Sequence, residues 1–431
     1  MADAPCCPGM GERGGRSGRR LTPQQWRLLV VLGAISLAEG YDLNILTIAL
    51  PQLRASFCLT QSQGSWWLSL IYLGAIPAFL LARHADRVGR RRLLLAAIAG
   101  YTAATVATAL APTILVFALC QLVSRLFLTA QISLTWTIAA EELPADQRGF
   151  GFGWLAAGNA VGTGVAALVW GTVLSPAGVS WRWLYAGGAF LLVVLALVWR
   201  HVPETARFVA AAADDVPHAN WRDIVSPRYR TRLVALVVSG IVINLTVVAA
   251  VFVVDFMETQ RHLSATAANL ILIGAGAIAL PVLLIAGSLS DRFGRKRMAC
   301  LFLVTAAIGP VIFFTFAHSS WQLLAALTLG YAGAFGAWPT ANSFGSELFP
   351  TSLRALGGAV GNVSRMIGQS TGFALGAAFI TVTSTLPRAI DLLCLGPLLG
   401  AVLIARYFPE TSGRELESIT DAPAIAWTAG S

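Results

Sequence analysis

Residues 82–92 read ARHADRVGRRR, and residues 287–297 read GSLSDRFGRKR. Both contain the order Asp-Arg-x-Gly-Arg, and their aspartates, Asp86 and Asp291, lie 205 positions apart in a chain of 431 residues. Each stretch follows one long apolar run and precedes another, so each is interpreted as a charged loop between two membrane-spanning helices. The sequence therefore predicts a duplicated membrane unit.

The composition argues against a soluble globular protein. Apolar residues make up 56% of the chain and charged residues 12%, whereas soluble domains carry about 25% charged residues. The net charge of +9 does not indicate nucleic acid as a partner, because the arginines lie in short loops between apolar runs. The six cysteines show no metal-ligand spacing. We expect a lipid bilayer as the partner, a monomer, and neither metal nor cofactor.

Twelve apolar runs approach the length of about 20 residues that a membrane-spanning helix needs. The predicted fold class is all-α, with twelve transmembrane helices in two pseudo-symmetric six-helix bundles. The predicted spans are 27–50, 64–82, 92–111, 113–139, 150–173, 183–200, 232–257, 266–289, 297–317, 321–345, 355–380 and 389–407.

A polar stretch at 201–231 divides the twelve spans into six and six. Part of it, Trp221–Val225, is interpreted either as a short amphipathic surface helix or as plain linker. The predicted organisation is a disordered N-terminus (1–25), a first bundle (26–200), the central loop (201–231), a second bundle (232–408) and a C-terminal tail (409–431). Basic residues cluster on the side of the termini and of the central loop, so the positive-inside rule predicts that all three are cytoplasmic. The expected location is the cell's inner membrane.

Two further motif pairs repeat in a common register. Glu141-Glu-Leu-Pro144 with Arg148 corresponds to Glu347-Leu-Phe-Pro350 with Arg354, and Pro203-Glu204-Thr205 corresponds to Pro409-Glu410-Thr411, at 206 positions. Because these motifs lie at cytoplasmic span ends, we interpret them as an inner gate whose ion pairs bias a rocking motion. The alternative, plain topology charge, explains the arginines but not the matched acids. The predicted gate residues are Asp86, Arg87, Gly89, Arg90, Glu141, Arg148, Glu204, Arg207, Asp291, Arg292, Gly294, Arg295, Glu347, Arg354 and Glu410.

These motifs resemble those of the major facilitator superfamily over residues 25–417. The Pro-Glu-Thr segments look like its sugar-porter branch. Glu347–Arg354 and Gly40-Tyr41-Asp42 look like the metabolite:proton, aromatic-acid:proton and synaptic-vesicle-glycoprotein-like branches. The resemblance implies alternating access around a midplane cavity between two bundles. Ala82 and Thr129 stand where the family usually has glycine, so we expect slightly looser helix packing there, and a looser gate in the first half than in the second.

Four ionisable residues stand out within spans, which makes them functional candidates because charge in a bilayer is costly. They are Glu39, Asp42, Arg125 and Arg365. At about 1.5 Å per residue, Glu39, Arg125 and Arg365 lie roughly 16–18 Å into a core about 30 Å thick. We predict that Asp42 or Glu39 titrates in proton coupling, with Arg125 as its partner. The competing interpretation is a static ion pair between spans 1 and 4.

Arg365 has Asn159 as its counterpart at 206 positions, so the second half carries a charge that the first half lacks there. A guanidinium suits a carboxylate, and we predict that Arg365 binds an anionic substrate. A packing or gating role is the alternative. Further polar or aromatic residues can share the cavity or serve as ordinary interhelical contacts, namely Gln369, Asn44, Gln121, Asn159, Asn244, Tyr331 and Trp338, with Gln131, Trp136 and Trp154 also considered.

The sequence therefore predicts a secondary active transporter that moves a small organic acid, aromatic acids included, with protons. The alternatives are a proton-coupled sugar or polyol porter, a drug or metabolite efflux antiporter, and a receptor that does not transport. An enzyme is not expected, because no Ser/His/Asp set appears and the five histidines lie in loops or at span ends.

Overall fold

The computed structural model describes residues 21–78, 80–81, 89–144, 147–190, 192–194, 196, 200, 224–227, 229–349 and 353–410. Several predictions fall outside these residues: both chain ends, the central loop to residue 223, and Ala82, Asp86, Arg87, Glu204 and Arg207. The same holds for the side chains of Arg148, Asp291, Glu347 and Arg354.

The regular structure of the described residues is helical throughout. The helices are α1 (Pro23–Ser56), α2 (Gln61–Leu73), α3 (Arg90–Ala109), α4 (Ile114–Glu142), α5 (Arg148–Leu168), α6 (Arg182–Gly187), α7 (Arg230–Ile243), α8 (Val247–Val251), α9 (Val253–Thr259), α10 (Ala265–Phe293), α11 (Arg295–Val311), α12 (Ser320–Glu347), α13 (Arg354–Thr383), α14 (Leu386–Leu393) and α15 (Leu395–Tyr407).

Local sequence explains where many of these helices begin. Thr22, Thr60 and Ser319 each cap a helix through a capping box in which the third helical residue is glutamine. The cap oxygen accepts a hydrogen bond from a backbone N–H that the helix itself cannot satisfy. Thr113 and Ser264 cap α4 and α10 in the simpler way, through one backbone N–H.

Nine helical stretches in the described part of the chain are long and apolar enough to cross a membrane. Of the three other predicted spans, 64–82 is interrupted, because α2 ends at Leu73 and turns follow through Pro77. The span at 183–200 is described only in part, beginning with α6. The third, α12, is a single helix of 28 residues that falls outside the nine. The all-helical membrane fold is thus confirmed, and the count of twelve spans is confirmed in part.

The helices run between two opposite ends of the molecule, the terminal face and the far face. The terminal face is the end at which α1 begins and α15 ends, and it includes Gly89, Gly294 and Glu410. The far face is the opposite end, where α1 finishes, and it includes Ser56, Gln61, Trp181 and Thr383.

Three buried apolar clusters are distributed between these two faces. One contains residues from both halves of the chain, among them Leu50, Trp181, Phe256 and Phe373, and it extends toward the far face. The second is built from first-half residues such as Leu29 and Leu143, and the third from residues after 223 such as Leu348 and Phe408. The halves therefore share a core toward the far face and have separate cores toward the terminal face.

Candidate functional site

The middle of the first half holds two buried acids on α1. Glu39 accepts a hydrogen bond at 3.1 Å from the amide nitrogen of Asn159 on α5. The other carboxylate oxygen, Oε2, is buried and has no hydrogen-bond partner. The structure thus joins two predicted site residues, with Asn159 holding Glu39 in place.

Asp42 has different neighbours from those of Glu39. Its carboxylate accepts a hydrogen bond at 2.9 Å from Thr105 on α3, and Thr105 in turn lies 3.2 Å from the hydroxyl of Ser124. Arg125 follows Ser124 on α4 and acts electrostatically on Asp42. Asp42 and Arg125 do not form an ion pair within 4.0 Å, although both belong to the described residues.

The guanidinium of Arg125 lies instead against Tyr72 of α2. Its carbon is 4.5 Å from the centre of the ring, and one nitrogen donates to the hydroxyl at 3.4 Å. The Tyr72 ring packs at 4.8 Å against Phe373 of the second half. Arg125 therefore connects the buried acid Asp42 to the surface between the two halves.

Arg365 on α13 lies in the second half. Its guanidinium carbon stands 4.2 Å over the ring of Trp338 on α12, and its buried Nε has no hydrogen-bond partner. No carboxylate among the described residues lies within 4.0 Å of the guanidinium. Because a charge inside a membrane span without an anion is costly, this half-buried arginine is suited to receive an anionic group.

A cavity of 220 Å³ lies beside Arg365, between α7, α12, α13 and the end of α15. It extends from Phe408 at the terminal face to Asn244, where α7 gives way to a short 3₁₀ turn. Its lining residues come from the second half: Leu236, Ser239, Gly240, Ile243, Asn244, Ala341, Gly358, Gly361, Asn362, Arg365, Ile404 and Phe408.

The other predicted cavity residues are distributed over both halves. Asn44 donates to the Gly40 carbonyl and to Thr163, and Gln121 donates to Thr108, so both are engaged within the first half. In the second half, Asn244 donates to the Gly240 carbonyl while lining the cavity. The remaining three are half-buried Gln369, Tyr331, which stacks on Phe335, and Trp338, whose side chain is 52% exposed.

Two of the tryptophans considered from sequence pack within the first half. The indole nitrogen of Trp154 donates to the Leu29 carbonyl at 2.9 Å, and its ring meets the ring of Trp26. Trp136 lies against Phe152. Gln131 is buried and donates to Thr135. These side chains are therefore occupied in the packing of the first bundle.

The terminal face carries the repeated loops. Gly89 and Gly294 each precede a helix with positive φ, at 105° and 99°, a conformation that glycine adopts without steric cost. Arg90 forms an ion pair with Glu141 in the first half. In the second half, Glu410 accepts hydrogen bonds from the backbone N–H groups of Arg295 and Lys296, at 2.8 and 3.3 Å. Glu410 therefore caps α11.

Two predicted gate residues of the second loop make further contacts. The guanidinium of Arg292 lies 5.5 Å from the ring of its neighbour Phe293. Arg295 begins α11, where its N–H points at Glu410. The gating role of these residues stays a prediction.

Sequence reasoning missed a group of side chains that joins the halves at the far face. Arg54 of α1 forms an ion pair with the buried Asp255 of α9, and Gln61 of α2 donates to the other oxygen of Asp255 at 3.1 Å. Gln52 donates to Glu258 at 3.1 Å. An available signal was Asp255 itself, an acid inside the apolar run from Val247 to Met257.

Serines on α2 extend this junction toward the middle of the bundle. Ser62, Ser65 and Ser69 donate to the carbonyls of Ala377, Phe373 and Ser370 on α13, at 2.9, 2.7 and 2.9 Å. Ser370 returns a bond to the Ser69 carbonyl at 3.0 Å. Such bonds satisfy polar groups away from water while they hold two helices together.

The family model described as Major Facilitator Superfamily matches residues 32–254 and 234–427. Together these matches cover most of the chain. The chain belongs to the Major Facilitator Superfamily. This agrees with the family resemblance of the repeated loops, and it establishes a membrane transporter.

Two curated relatives illustrate the range within the family. The niacin transporter NiaP of Acinetobacter baylyi is 25% identical over 431 aligned residues, which cover 91% of this chain and 96% of the relative. The human synaptic vesicle glycoprotein 2B is 28% identical over 132 residues, which cover 30% of this chain and 19% of that protein. The chain thus matches about a fifth of the synaptic vesicle protein and nearly all of the niacin transporter.

Solved structures agree on the fold. The inward-open xylose transporter XylE from E. coli matches with a TM-score of 0.74 and 19% identity, over 94% of this chain and all of that chain. A D-xylose–proton symporter matches with a TM-score of 0.73 and 18% identity, over 90% of this chain and 99% of the other. At this identity the likeness establishes the fold alone.

Proposed function

We propose that this superfamily member carries a small organic acid together with protons. The observation that carries the proposal is the half-buried side chain of Arg365, which has a buried Nε without a hydrogen-bond partner, has no carboxylate partner among the described residues, and stands at the wall of the cavity. An incoming carboxylate supplies the missing anion and accepts paired N–H bonds from the planar fork. A sugar offers no such charge.

Trp338 supports an aromatic acid as the cargo. Its ring covers one face of the guanidinium and is half exposed, so a second flat ring has apolar surface to stack on. The niacin transporter relative supports the same class, since niacin is a carboxylate on an aromatic ring. A cavity of 220 Å³ suits a cargo with a single ring.

Asp42 is the proposed proton carrier, with Arg125 as the cation that senses its charge. Loss of a proton from Asp42 strengthens its attraction to Arg125, and Arg125 lies on Tyr72 at the junction of the halves. A change of charge at Asp42 therefore has a direct route to the surface along which the halves move. The competing interpretation is a static attraction that fixes α1 against α4.

The orientation proposed places the terminal face in the cytoplasm of a cell with this protein in its inner membrane. The basic residues described at that face, including Arg90, Arg295 and Arg406, support it through the positive-inside rule. In this orientation the contacts that join the two halves at the far face lie on the outer side of the membrane.

Uptake by proteoliposomes tests the cargo. Purified protein is reconstituted, an inward proton gradient is imposed, and uptake of labelled niacin, benzoate and xylose is compared. We expect uptake of the acids, and at least a tenfold loss of it in Arg365→Ala, since a charge-assisted bond is worth about 1.5–3 kcal/mol. The matched control is Arg406→Ala, which removes an exposed arginine from the same half. Uptake of xylose alone, or full acid uptake by Arg365→Ala, would contradict the proposal.

Asp42→Asn tests the coupling in the same vesicles. We expect loss of proton-driven accumulation, whereas exchange of labelled for unlabelled acid continues, because exchange needs no net proton movement. Glu39→Gln is the comparison, since Glu39 is also a buried acid on α1. If Asp42→Asn accumulates acid normally and Glu39→Gln does not, the proton carrier is Glu39.

A further inference from the structure

The contact between Gln52 and Glu258 leaves two oxygen atoms unexplained. The Gln52 amide nitrogen donates to Oε2 of Glu258 at 3.1 Å across the junction of the halves. The two other oxygens, Oε1 of Gln52 and Oε1 of Glu258, are both buried, and neither has a hydrogen-bond partner. Gln52 and Glu258 lie 206 positions apart, the period of the internal repeat, so corresponding positions of the two halves meet here.

One proton satisfies both oxygens. An ionised carboxylate and an amide oxygen are acceptors only, so neither can serve the other. A protonated carboxyl gains an O–H donor while keeping an acceptor oxygen. It can then accept from the amide nitrogen at Oε2 and donate to the amide oxygen from Oε1. Acid and amide become complementary, and no buried acceptor is left over.

The charges around Glu258 favour the same protonation state. Asp255 lies about one turn earlier on α9 and adds negative charge, while Arg54 and Gln61 are committed to Asp255. The neighbouring helices α1, α8 and α10 pack against α9, and Arg54 is the charged residue on their far-face turns. Arg261 packs its guanidinium on Phe256. Glu258 has no ion pair within 4.0 Å among the described residues.

The other titratable groups at this face point elsewhere. Asp391 of α14 is held by the Thr315 hydroxyl at 3.1 Å, and the guanidinium of Arg182 donates to the Ala109 carbonyl at 2.8 Å. Three more side chains are exposed to the surroundings: His262, His318 and Arg388. The protonation of Glu258 is therefore decided mainly by Gln52, Asp255 and the exclusion of water.

We propose that the far face binds a proton between Glu258 and Gln52 whenever it closes, and releases that proton when it opens. The proton comes from the solution on that side as Glu258 leaves water, and it returns there when the halves separate. This site is distinct from Asp42, which lies ten residues back along α1, about 15 Å in a helix. It depends on the alternating movement of the family and not on the identity of the cargo.

The proposal fixes the sign of a pH effect on conformation. Because closure takes up a proton, acid favours the closed far face and alkali favours the open one. For one proton, the ratio of closed to open molecules falls by up to about tenfold for each pH unit of increase. Replacing the carboxyl by an amide removes the titration and keeps both hydrogen bonds, since two amides pair at every pH.

The test measures the distance across the far face. Spin labels are placed on the exposed native Cys58 and on Thr385→Cys, one in each half. The five other cysteines are replaced by alanine. Distance distributions are recorded in lipid nanodiscs between pH 5 and pH 8, for the otherwise unchanged full chain, Glu258→Gln, Asp42→Asn and Asp391→Asn.

We expect the closed population of the parent to fall as the pH rises, and that of Glu258→Gln to stay high at every pH. Asp391→Asn is the matched control, because it neutralises a half-buried acid in the same half away from the junction, and it should keep the parent's slope. If the closed population of Glu258→Gln still falls as the pH rises, the proposal is overturned. If the slope instead disappears in Asp42→Asn, the midplane acid is its source, and a parent with no slope overturns the proposal as well.

Discussion

The two faces of this transporter are held together in different ways. At the far face, contacts cross between the halves: Arg54 with Asp255, Gln52 with Glu258, and the α2 serines with α13. At the terminal face, the contacts that the structure describes stay within one half, as with Arg90 and Glu141, or Glu410 and the start of α11. At the far face the two halves contact each other, whereas at the terminal face the described contacts stabilise each half separately.

The space around individual glycines shows the same difference in packing between the far face and the terminal face. A Cβ at Gly376 would stand 3.2 Å from Ser65 of the other half, whereas one at Gly358 on the same helix would meet nothing within 4 Å. Gly287, in the repeated loop motif, likewise faces open space. Close approach of the helices is thus realised at one end of α13 and not at the other. Residues that look alike in sequence therefore differ in how closely their neighbours approach them.

The largest effect is expected from Asp255→Ala. This change leaves Arg54, whose side chain is 14% exposed, without its buried partner, and breaking a buried pair costs up to about 3–5 kcal/mol. We expect the distance between labels at Cys58 and Thr385→Cys to shift from the closed to the open population. The double variant Arg54→Ala, Asp255→Ala removes both charges and should recover much of the closed population.

The terminal-face ion pair provides the control for that prediction. Glu141→Ala removes an acid whose partner, Arg90, belongs to the same half. The far-face distance should stay as in the parent. If Glu141→Ala opens the far face as strongly as Asp255→Ala does, the two faces are not held together independently and the comparison fails.

Substitutions at two glycines of α13 are expected to have the next largest effect. Gly376→Leu places carbon against Ser65 and Val248, and overpacking of this kind costs about 1–3 kcal/mol. It should shift the far-face distance toward the open population. Gly358→Leu makes the same change of residue where there is room, so it should leave that distance unaltered. Equal shifts in the two variants would show that lost helix flexibility, and not packing, is responsible.

The sequence predicted the parts of this molecule that the repeat encodes. The apolar runs predict the helices because only a backbone that satisfies its own polar groups crosses a membrane. The repeated motifs contain Gly89 and Gly294 at the same position of the two predicted loops, and both have positive φ. The ion pair of the far-face junction could not be predicted from the repeat, because the counterparts of Arg54 and Asp255 are Gln260 and Ala49.

In the middle of the bundle, the contacts that a side chain makes were harder to predict than its position along the helix. Depth along a helix predicted that Glu39, Arg125 and Arg365 lie in the middle of their spans; Glu39 and Arg125 are buried, whereas Arg365 is half-buried. It could not decide which neighbour each would choose, since Thr105, Asn159 and Tyr72 become available only through helix rotation and tilt. The spacing of residues along a helix predicts how deep a side chain lies in the membrane and on which face of the helix it stands. Which partner the side chain contacts depends on how separate helices pack.

Tyr72 allows the link between the midplane and the far-face junction to be tested, with a smaller effect. Its ring touches Arg125 on one side and Phe373 of the other half. Tyr72→Leu removes both ring contacts, worth about 1–2 kcal/mol together, so the closed population should fall and proton-driven uptake with it. Tyr72→Phe keeps the ring and should retain most of the closed population. If Tyr72→Phe loses as much of the closed population as Tyr72→Leu does, the effect comes from the hydroxyl, which accepts the hydrogen bond from Arg125.

The smallest effect is expected at Glu410, which braces the terminal face within the second half. Its carboxylate accepts from the N–H groups of Arg295 and Lys296, and loss of a helix cap costs about 1 kcal/mol. Glu410→Ala should lower the thermal unfolding midpoint slightly and leave the far-face distance unchanged, because the contact joins no residue of the first half. Glu410→Gln keeps an acceptor oxygen and should lie between parent and Ala. A change in the far-face distance at unchanged thermal stability would instead make this cap part of the moving gate.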